Sequence, residues 1–140
     1  LVLYTGITRS ASSLLKHQTD AITSSTAKQH TMQRMVELTY GLCGELQKNN
    51  TGAFGEILHE GWMLKREMTA GISNGEIDGW YERARAAGAQ GGKILGAGAG
   101  GFLMLYAPNE SHAAICAALP ELRPVPVGFE PLGSRIIFYH

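Results

Sequence analysis

Residues 93–106 place a loop of glycine and alanine between two short apolar runs, and this segment constrains the fold more than any other. Its sequence is Lys-Ile-Leu-Gly-Ala-Gly-Ala-Gly-Gly-Phe-Leu-Met-Leu-Tyr. Short apolar runs bounded by glycine are typical of buried strands, so we predict a strand, a loop and a second strand. The loop residues are Gly96, Ala97, Gly98, Ala99, Gly100 and Gly101.

The composition of this loop permits two interpretations. Because it has no long side chains, a backbone or a phosphate group can approach its N–H groups, and glycine supplies the positive φ angles that such a cradle needs. Alternatively, the segment is a tight hairpin in which small residues only relieve crowding.

Two well-known glycine motifs do not fit this loop. Gly96-x-Gly98-x-x-Gly101 has the spacing of the dinucleotide fingerprint, but that fingerprint must open a helix. Residues 102–106 instead have no helical period, and Pro108 follows them. The phosphate loop of nucleotide triphosphatases requires Lys and Ser or Thr after its last glycine, whereas Phe102 stands there.

Composition limits the class of protein. The chain has 140 residues, with 12 basic and 12 acidic side chains, which predicts a single domain without the charge that binds nucleic acid or an anionic membrane. No apolar run approaches the length that spans a bilayer. Cys43 and Cys116 lie far apart, which favours reduced thiols and a cytoplasmic location. The chain starts at Leu1 within an apolar run, so we expect it to be part of a longer protein.

The rest of the chain predicts helices between an N-terminal strand and the glycine loop. Residues 1–4 are typical of a strand, a helix follows from Thr8 or Ser10 to about Ile22, and the polar residues 23–30 indicate a loop. Apolar residues at helical spacing predict one helix over 31–49 and a second helix that is capped by Thr51 and ends at Met68. Because the connection between them is short, we predict that they pack as an antiparallel hairpin.

Capping signals predict the remaining helices. Ser73 and Glu76 form a capping-box pattern for a helix over 76–87, and Asn109 precedes a short helix over 110–119. Residues 134–139 are typical of a closing strand. Since strands and helices do not alternate, we predict an α+β fold with a ferredoxin-like antiparallel sheet and helices layered on one face.

One helix resembles a metal-binding sequence without completing it. His59-Glu60-x-x-Met63 has methionine where the zinc-binding HExxH motif has its second histidine. We therefore expect this chain to bind no metal through its own side chains.

Residues 88–102 closely resemble the third motif of the GHMP small-molecule kinases (galactokinase, homoserine kinase, mevalonate kinase and phosphomevalonate kinase). The resemblance covers essentially the whole chain and corresponds to the C-terminal half of such a kinase. Residues 4–11 and 71–74 are similar to those of the sugar-1-kinases that act on heptose 7-phosphate. Ala99 departs from the family pattern, which is usually richer in glycine there.

The resemblance implies half an enzyme. In such kinases the ATP phosphate loop, the catalytic aspartate and the Mg²⁺ ligands lie in the N-terminal domain, so this chain would contain no catalytic residue and would be inactive alone. Its glycine loop, residues Gly96 to Gly101, would help to bind ATP by buttressing the phosphate loop and would help to close the active site. The implied partners are the N-terminal kinase domain and a sugar phosphate, and apolar surface left exposed in a fragment would favour aggregation or a homodimer.

A phosphorylated substrate also requires polar and basic side chains. We predict that Thr8 and Arg9, after the first strand, and Lys65, on the second hairpin helix, bind the substrate. The alternatives are helix capping for the segment around Thr8 and a solvated helix face for Lys65.

Two other classes of function stay open from the sequence. A ferredoxin-like domain also serves as a freestanding small-molecule-binding regulatory module. A structural or interaction domain is less consistent with six consecutive small residues between two strands.

Overall fold

The computed structural model describes residues 1–8, 11–133, 136 and 138. Within these ranges the strands are β1 (Val2–Tyr4), β2 (Gly91–Ile94), β3 (Phe102–Tyr106) and β4 (Arg123–Pro124). The α-helices are α1 (Ala11–Ser24), α2 (Thr26–Gln47), α3 (Ala53–Met68), α4 (Gly75–Ala86) and α5 (His112–Ala118), and a 3-10 turn over Asn109–Ser111 precedes α5.

The four strands form one antiparallel sheet in the order β2-β3-β1-β4. Leu103 pairs with both Leu3 and Ile94, and all three side chains are fully buried on the same face. This face packs against a core from the helices that includes Trp62, Ile77, Trp80 and Ile115. The order of strands and helices is the βαββαβ order of ferredoxin-like folds, so the predicted fold class is confirmed.

The prediction of a loop over residues 23–30 is wrong. α1 continues to Ser24, and α2 begins at Thr26 after the single residue Ser25, whose side chain accepts a hydrogen bond from the Lys28 N–H. Two of the hydroxyl groups that suggested a loop, those of Thr23 and Ser24, instead donate to the carbonyl groups of Thr19 and Asp20, four residues earlier in the helix.

The predicted caps also differ from those observed. Asn74, rather than Ser73, caps α4 by accepting from the N–H groups of Glu76 and Ile77. The N-cap of α3 is Gly52 without a side-chain cap, and Asn109 begins the 3-10 turn rather than capping an α-helix. The predicted closing strand at 134–139 lies largely outside the described residues.

The helical hairpin has the predicted antiparallel arrangement. Near the start of α2 the Lys28 ammonium donates to the Glu67 carbonyl at the end of α3. Further along, Arg34 donates to the Glu60 carboxylate, at 2.8 Å from Nη2. The short link between the helices forces this antiparallel packing.

Helix α3 crosses strand β2 at two glycines. A Cβ atom at Gly91 would overlap the carbonyl group of Gly55, lying 2.8 Å from its carbon, and a Cβ at Gly55 would lie 2.5 Å from the Gln90 Cβ. The two backbones therefore approach too closely for any side chain between them, and this contact sets the distance of α3 from the sheet.

Replacing Gly91 with alanine tests the backbone contact. We expect Gly91→Ala to lower the free energy of unfolding by about 1–3 kcal/mol, because the added methyl has only backbone to displace. Gly41→Ala in α2 is the control, since a Cβ there meets nothing within 4 Å and alanine favours a helix by about 0.5–1 kcal/mol. Urea unfolding measures both, and equal effects of the two substitutions would contradict the assigned contact.

Candidate functional site

The glycine loop, residues 96–101, joins β2 to β3. The Leu95 N–H donates to the Phe102 carbonyl at 2.8 Å and closes the base of the loop. Five loop residues have positive φ: Gly96 (76°), Gly98 (112°), Ala99 (64°), Gly100 (143°) and Gly101 (85°). A strand, not a helix, follows the loop, which agrees with the exclusion of the dinucleotide fingerprint.

Two distant backbone segments hold the glycine loop. The Gly101 N–H donates to the Ile7 carbonyl and the Ala99 N–H to the Ile72 carbonyl, both at 2.8 Å. The Gly101 carbonyl accepts from both the N–H and the hydroxyl of Thr5, each at 2.9 Å. The loop is therefore fixed to the segment after β1 and to the segment before α4.

The remaining N–H groups of the loop are available to a ligand. Within the described part of the chain, no acceptor is found for the N–H groups of Gly96, Ala97, Gly98 and Gly100. Successive free N–H groups in a loop with positive φ angles form an anion-binding concavity. The arrangement thus has the chemistry to bind phosphate oxygens, as the first interpretation of the loop requires.

Two glycines cannot carry a side chain in this conformation. A Cβ at Gly98 would lie 2.8 Å from the Ile72 carbonyl oxygen, and one at Gly100 would lie 2.7 Å from the Ile7 carbonyl oxygen. Their φ angles also lie beyond the small left-handed region open to other residues. Ala99 lies within that region and is buried, so its methyl group is accommodated despite the departure from the family pattern.

The predicted substrate-binding residues lie close to the loop where they are described. Lys65 donates from its ammonium to the Gly96 carbonyl at 2.6 Å. Burial lowers the pKa of Lys65, and the charge of Lys93 lowers it further. Thr8 is exposed and follows Ile7, which contacts the loop. Arg9 lies outside the described residues. Substrate binding by these three residues stays a prediction.

The structure also explains the incomplete zinc-like sequence. His59 Nδ1 lies 2.8 Å from the Tyr81 hydroxyl, and the two rings stack. Burial lowers the pKa of His59, with the charges of Arg85 and Arg66 adding to the effect, and burial raises the pKa of Tyr81 to about 12. Glu60 pairs with Arg34, so His59 and Glu60 make separate structural contacts.

Sequence reasoning missed a polar cavity lined by the end of α3, the segment that follows it and the start of α4. Its volume is about 380 Å³, and its lining includes Arg66, Ser73 and Asp78. Arg66 and Asp78 form an ion pair at 2.8 Å, and the Ser73 hydroxyl donates to Asp78 at 2.5 Å. Ser73 was part of the capping-box pattern with Glu76, and nothing in the sequence connected Ser73 or Asp78 to Arg66.

Paired substitutions in the loop test its tight docking. Gly100→Ala adds a methyl group against Ile7, whereas Gly101→Ala has the strain of a positive φ but meets nothing within 4 Å. We expect Gly100→Ala to reduce the free energy of unfolding by about 1–3 kcal/mol more than Gly101→Ala. Chemical denaturation of the two variants measures the difference. Equal losses would show that the loop can move away from Ile7 without cost.

The comparisons with known proteins define the class. Residues 43–121 match the model of the family described as "GHMP kinases C terminal". This match covers more than half of the chain, and the chain belongs to this family. The resemblance stated from the glycine loop is thereby confirmed.

Curated relatives include kinases of two kinds. The chain is 27% identical over 122 residues to D-glycero-alpha-D-manno-heptose 7-phosphate kinase of Campylobacter jejuni, covering 86% of this chain and 36% of that protein. It is 36% identical over 78 residues to mevalonate kinase of Methanothermobacter thermautotrophicus, covering 56% of this chain and 25% of the relative. The chain therefore spans about a third or less of these kinases.

A solved structure supports the fold independently. The crystal structure of L. major mevalonate kinase in complex with R-mevalonate superimposes with a TM-score of 0.77 and 22% identity, over 85% of this chain and 36% of that one. At this identity the likeness concerns the fold alone. Separately, no helix in the described residues is both long enough and apolar enough to cross a membrane.

Proposed function

We propose that this chain is the C-terminal, substrate-side domain of an ATP-dependent kinase that phosphorylates a hydroxyl group of a sugar phosphate. The proposed acceptor is the anomeric 1-hydroxyl of a heptose 7-phosphate. Membership of the GHMP kinase family supports the kinase, and the relative from Campylobacter jejuni, which matches over 86% of the chain, supports the sugar phosphate.

The free N–H groups of the glycine loop are the observation that carries the proposal. Phosphoryl transfer depends mainly on positioning the phosphates and neutralising their charge. The loop offers several N–H donors, and its hydrogen bonds to Ile7 and Ile72 hold them in place before any ligand arrives. Preorganised donors of this kind are effective because they need no rearrangement during the reaction.

The residues of the loop fit a phosphate group. The N–H groups of Gly96, Ala97, Gly98 and Gly100 would face phosphate oxygens of ATP or the phosphate loop that holds them. ATP with Mg²⁺ would supply the transferred phosphoryl group. The Lys65 ammonium donates one hydrogen bond to the Gly96 carbonyl and has further N–H donors that would bind an anion. Thr8 and Arg9 would bind the phosphate group of the acceptor.

The proposal assigns the remaining chemistry to a partner domain. This chain spans 36% of the heptose phosphate kinase, and the catalytic carboxylate, the Mg²⁺ ligands and the ATP phosphate loop would belong to an N-terminal kinase domain. The isolated chain would therefore be inactive. We further propose that the complete enzyme acts in the cytoplasm, without a nucleic acid or membrane partner.

Kinase assays test this function with the full-length protein and with the isolated chain. With Mg·ATP, we expect the full-length protein to phosphorylate heptose 7-phosphate in preference to mevalonate and to unphosphorylated heptose. Gly98→Ala moves the loop away from Ile72 and should lower kcat/KM by about tenfold to hundredfold. Gly41→Ala, in an open helix position, is the control and should leave kcat/KM unchanged.

Three results would contradict the proposal. Equal or better turnover of mevalonate would exclude the sugar phosphate. Turnover by the isolated chain would exclude the division between two domains. Full activity in a folded Gly98→Ala variant would exclude the role given to the loop.

A further inference from the structure

A second cavity lies between α2 and α3 and shares only Lys65 with the proposed substrate site. Its volume is about 180 Å³, which is enough for a small molecule several times larger than water. Its walls are mainly apolar and include Met35, Leu38, Leu42 and Ile57. The cavity is therefore suited to a short hydrocarbon chain rather than to a sugar.

Two lysines give this apolar cavity a positive end. Lys65 and Lys93 both line it, and they are close enough for the charge of Lys93 to lower the pKa of Lys65. In the described part of the chain neither lysine forms an ion pair with a carboxylate. Two neighbouring ammonium groups without a counterion favour binding of an anion.

A tryptophan in the same wall has an unsatisfied polar atom. Trp62 lines the cavity and is 1% exposed, and its Nε1 has no hydrogen-bond partner among the described residues. Because this N–H is itself buried, it is not in reach of a molecule in the cavity, and recognition of a ligand depends on the lysines and the apolar walls.

We propose that the cavity between α2 and α3 binds a short aliphatic carboxylate. The carboxylate lies between the ammonium groups of Lys65 and Lys93, and a chain of about six carbons lies against the apolar walls. A carboxylate suits the site better than a phosphate because the cavity is small and has little room beyond the chain. This site shares Lys65 with the proposed substrate site, and its occupancy is measurable without any kinase activity.

Gly61 allows the cavity to be filled without disturbing the fold. It lies in α3 and lines the cavity, and a Cβ there would meet only the Leu38 Cδ1, at 4.0 Å. Leucine also favours a helix more than glycine does. Gly61→Leu should therefore raise the unfolding temperature while its side chain occupies the space of the ligand. Gly79→Leu in α4, where a Cβ meets nothing within 4 Å, is the matched control.

Isothermal titration of the full-length protein with hexanoate tests the site. We expect hexanoate to bind, and hexan-1-ol and hexylamine to bind at least about tenfold more weakly because they lack the negative charge. Lys93→Met should weaken hexanoate binding by about tenfold or more, and Gly61→Leu should abolish it. Lys16→Met, in exposed α1, and Gly79→Leu should bind as wild type does.

Each other outcome overturns the proposal. Absence of hexanoate binding excludes the site, and equal binding of hexan-1-ol excludes the role of the lysines. Unchanged hexanoate binding by a folded Gly61→Leu variant places the ligand elsewhere. Because the readout is binding, a failure here leaves the kinase assays unaffected, and a failure of the kinase assays leaves this result unaffected.

Discussion

The docking of the glycine loop against two other backbones is the constraint on which the site depends. Gly98 lies against Ile72, and Gly100 against Ile7, at distances that leave no room for a Cβ atom. The same contacts use the N–H groups of Ala99 and Gly101. They leave the N–H groups of Gly96, Ala97, Gly98 and Gly100 without partners and fixed in direction, which is the property that an anion-binding loop needs.

Helix α3 connects this loop to the rest of the fold. Gly55 brings the helix against Gly91 of β2, directly before the loop. One turn before its end α3 carries Lys65, which donates to Gly96, and the chain after the helix leads to Ile72. A displacement of α3 would therefore change the sheet edge, the lysine contact and the backing of the loop together.

The sequence predicts the local parts of this arrangement well. Residues 93–106 predicted two strands and a loop, because apolar runs and glycines determine the local backbone conformation within a few residues. The resemblance to GHMP kinases rested on the same motif. Residues 23–30 were wrongly predicted as a loop. Serine and threonine favour helix caps and loops, but their hydroxyl groups can also donate to backbone carbonyl groups within a helix, and the sequence does not distinguish the two. Asn74 and Ser73 are neighbouring candidates for one cap, and only the backbone geometry at the helix start decides between them.

The contacts that assemble the candidate site could not be predicted in this way. Ile7 and Ile72 are ordinary apolar residues in the sequence, and their carbonyl groups, not their side chains, hold the loop. The glycines show that another backbone can approach the loop, but no residue pattern shows which segment does so. The same applies to the pairing of Arg66 with Asp78 and to the cavity between α2 and α3, which depend on how the helices pack.

We propose that the glycine loop presents fixed, free N–H groups to phosphate oxygens. Amide NMR of the full-length protein, titrated with a non-hydrolysable Mg·ATP analogue, tests it most directly. Our account predicts the largest shifts for the N–H signals of Gly96, Ala97, Gly98 and Gly100. The signals of Ala99 and Gly101, which are already hydrogen bonded, should change little. If the analogue binds to saturation and the signals of these four N–H groups shift no more than those of Ala99 and Gly101, the loop does not bind phosphate in this way.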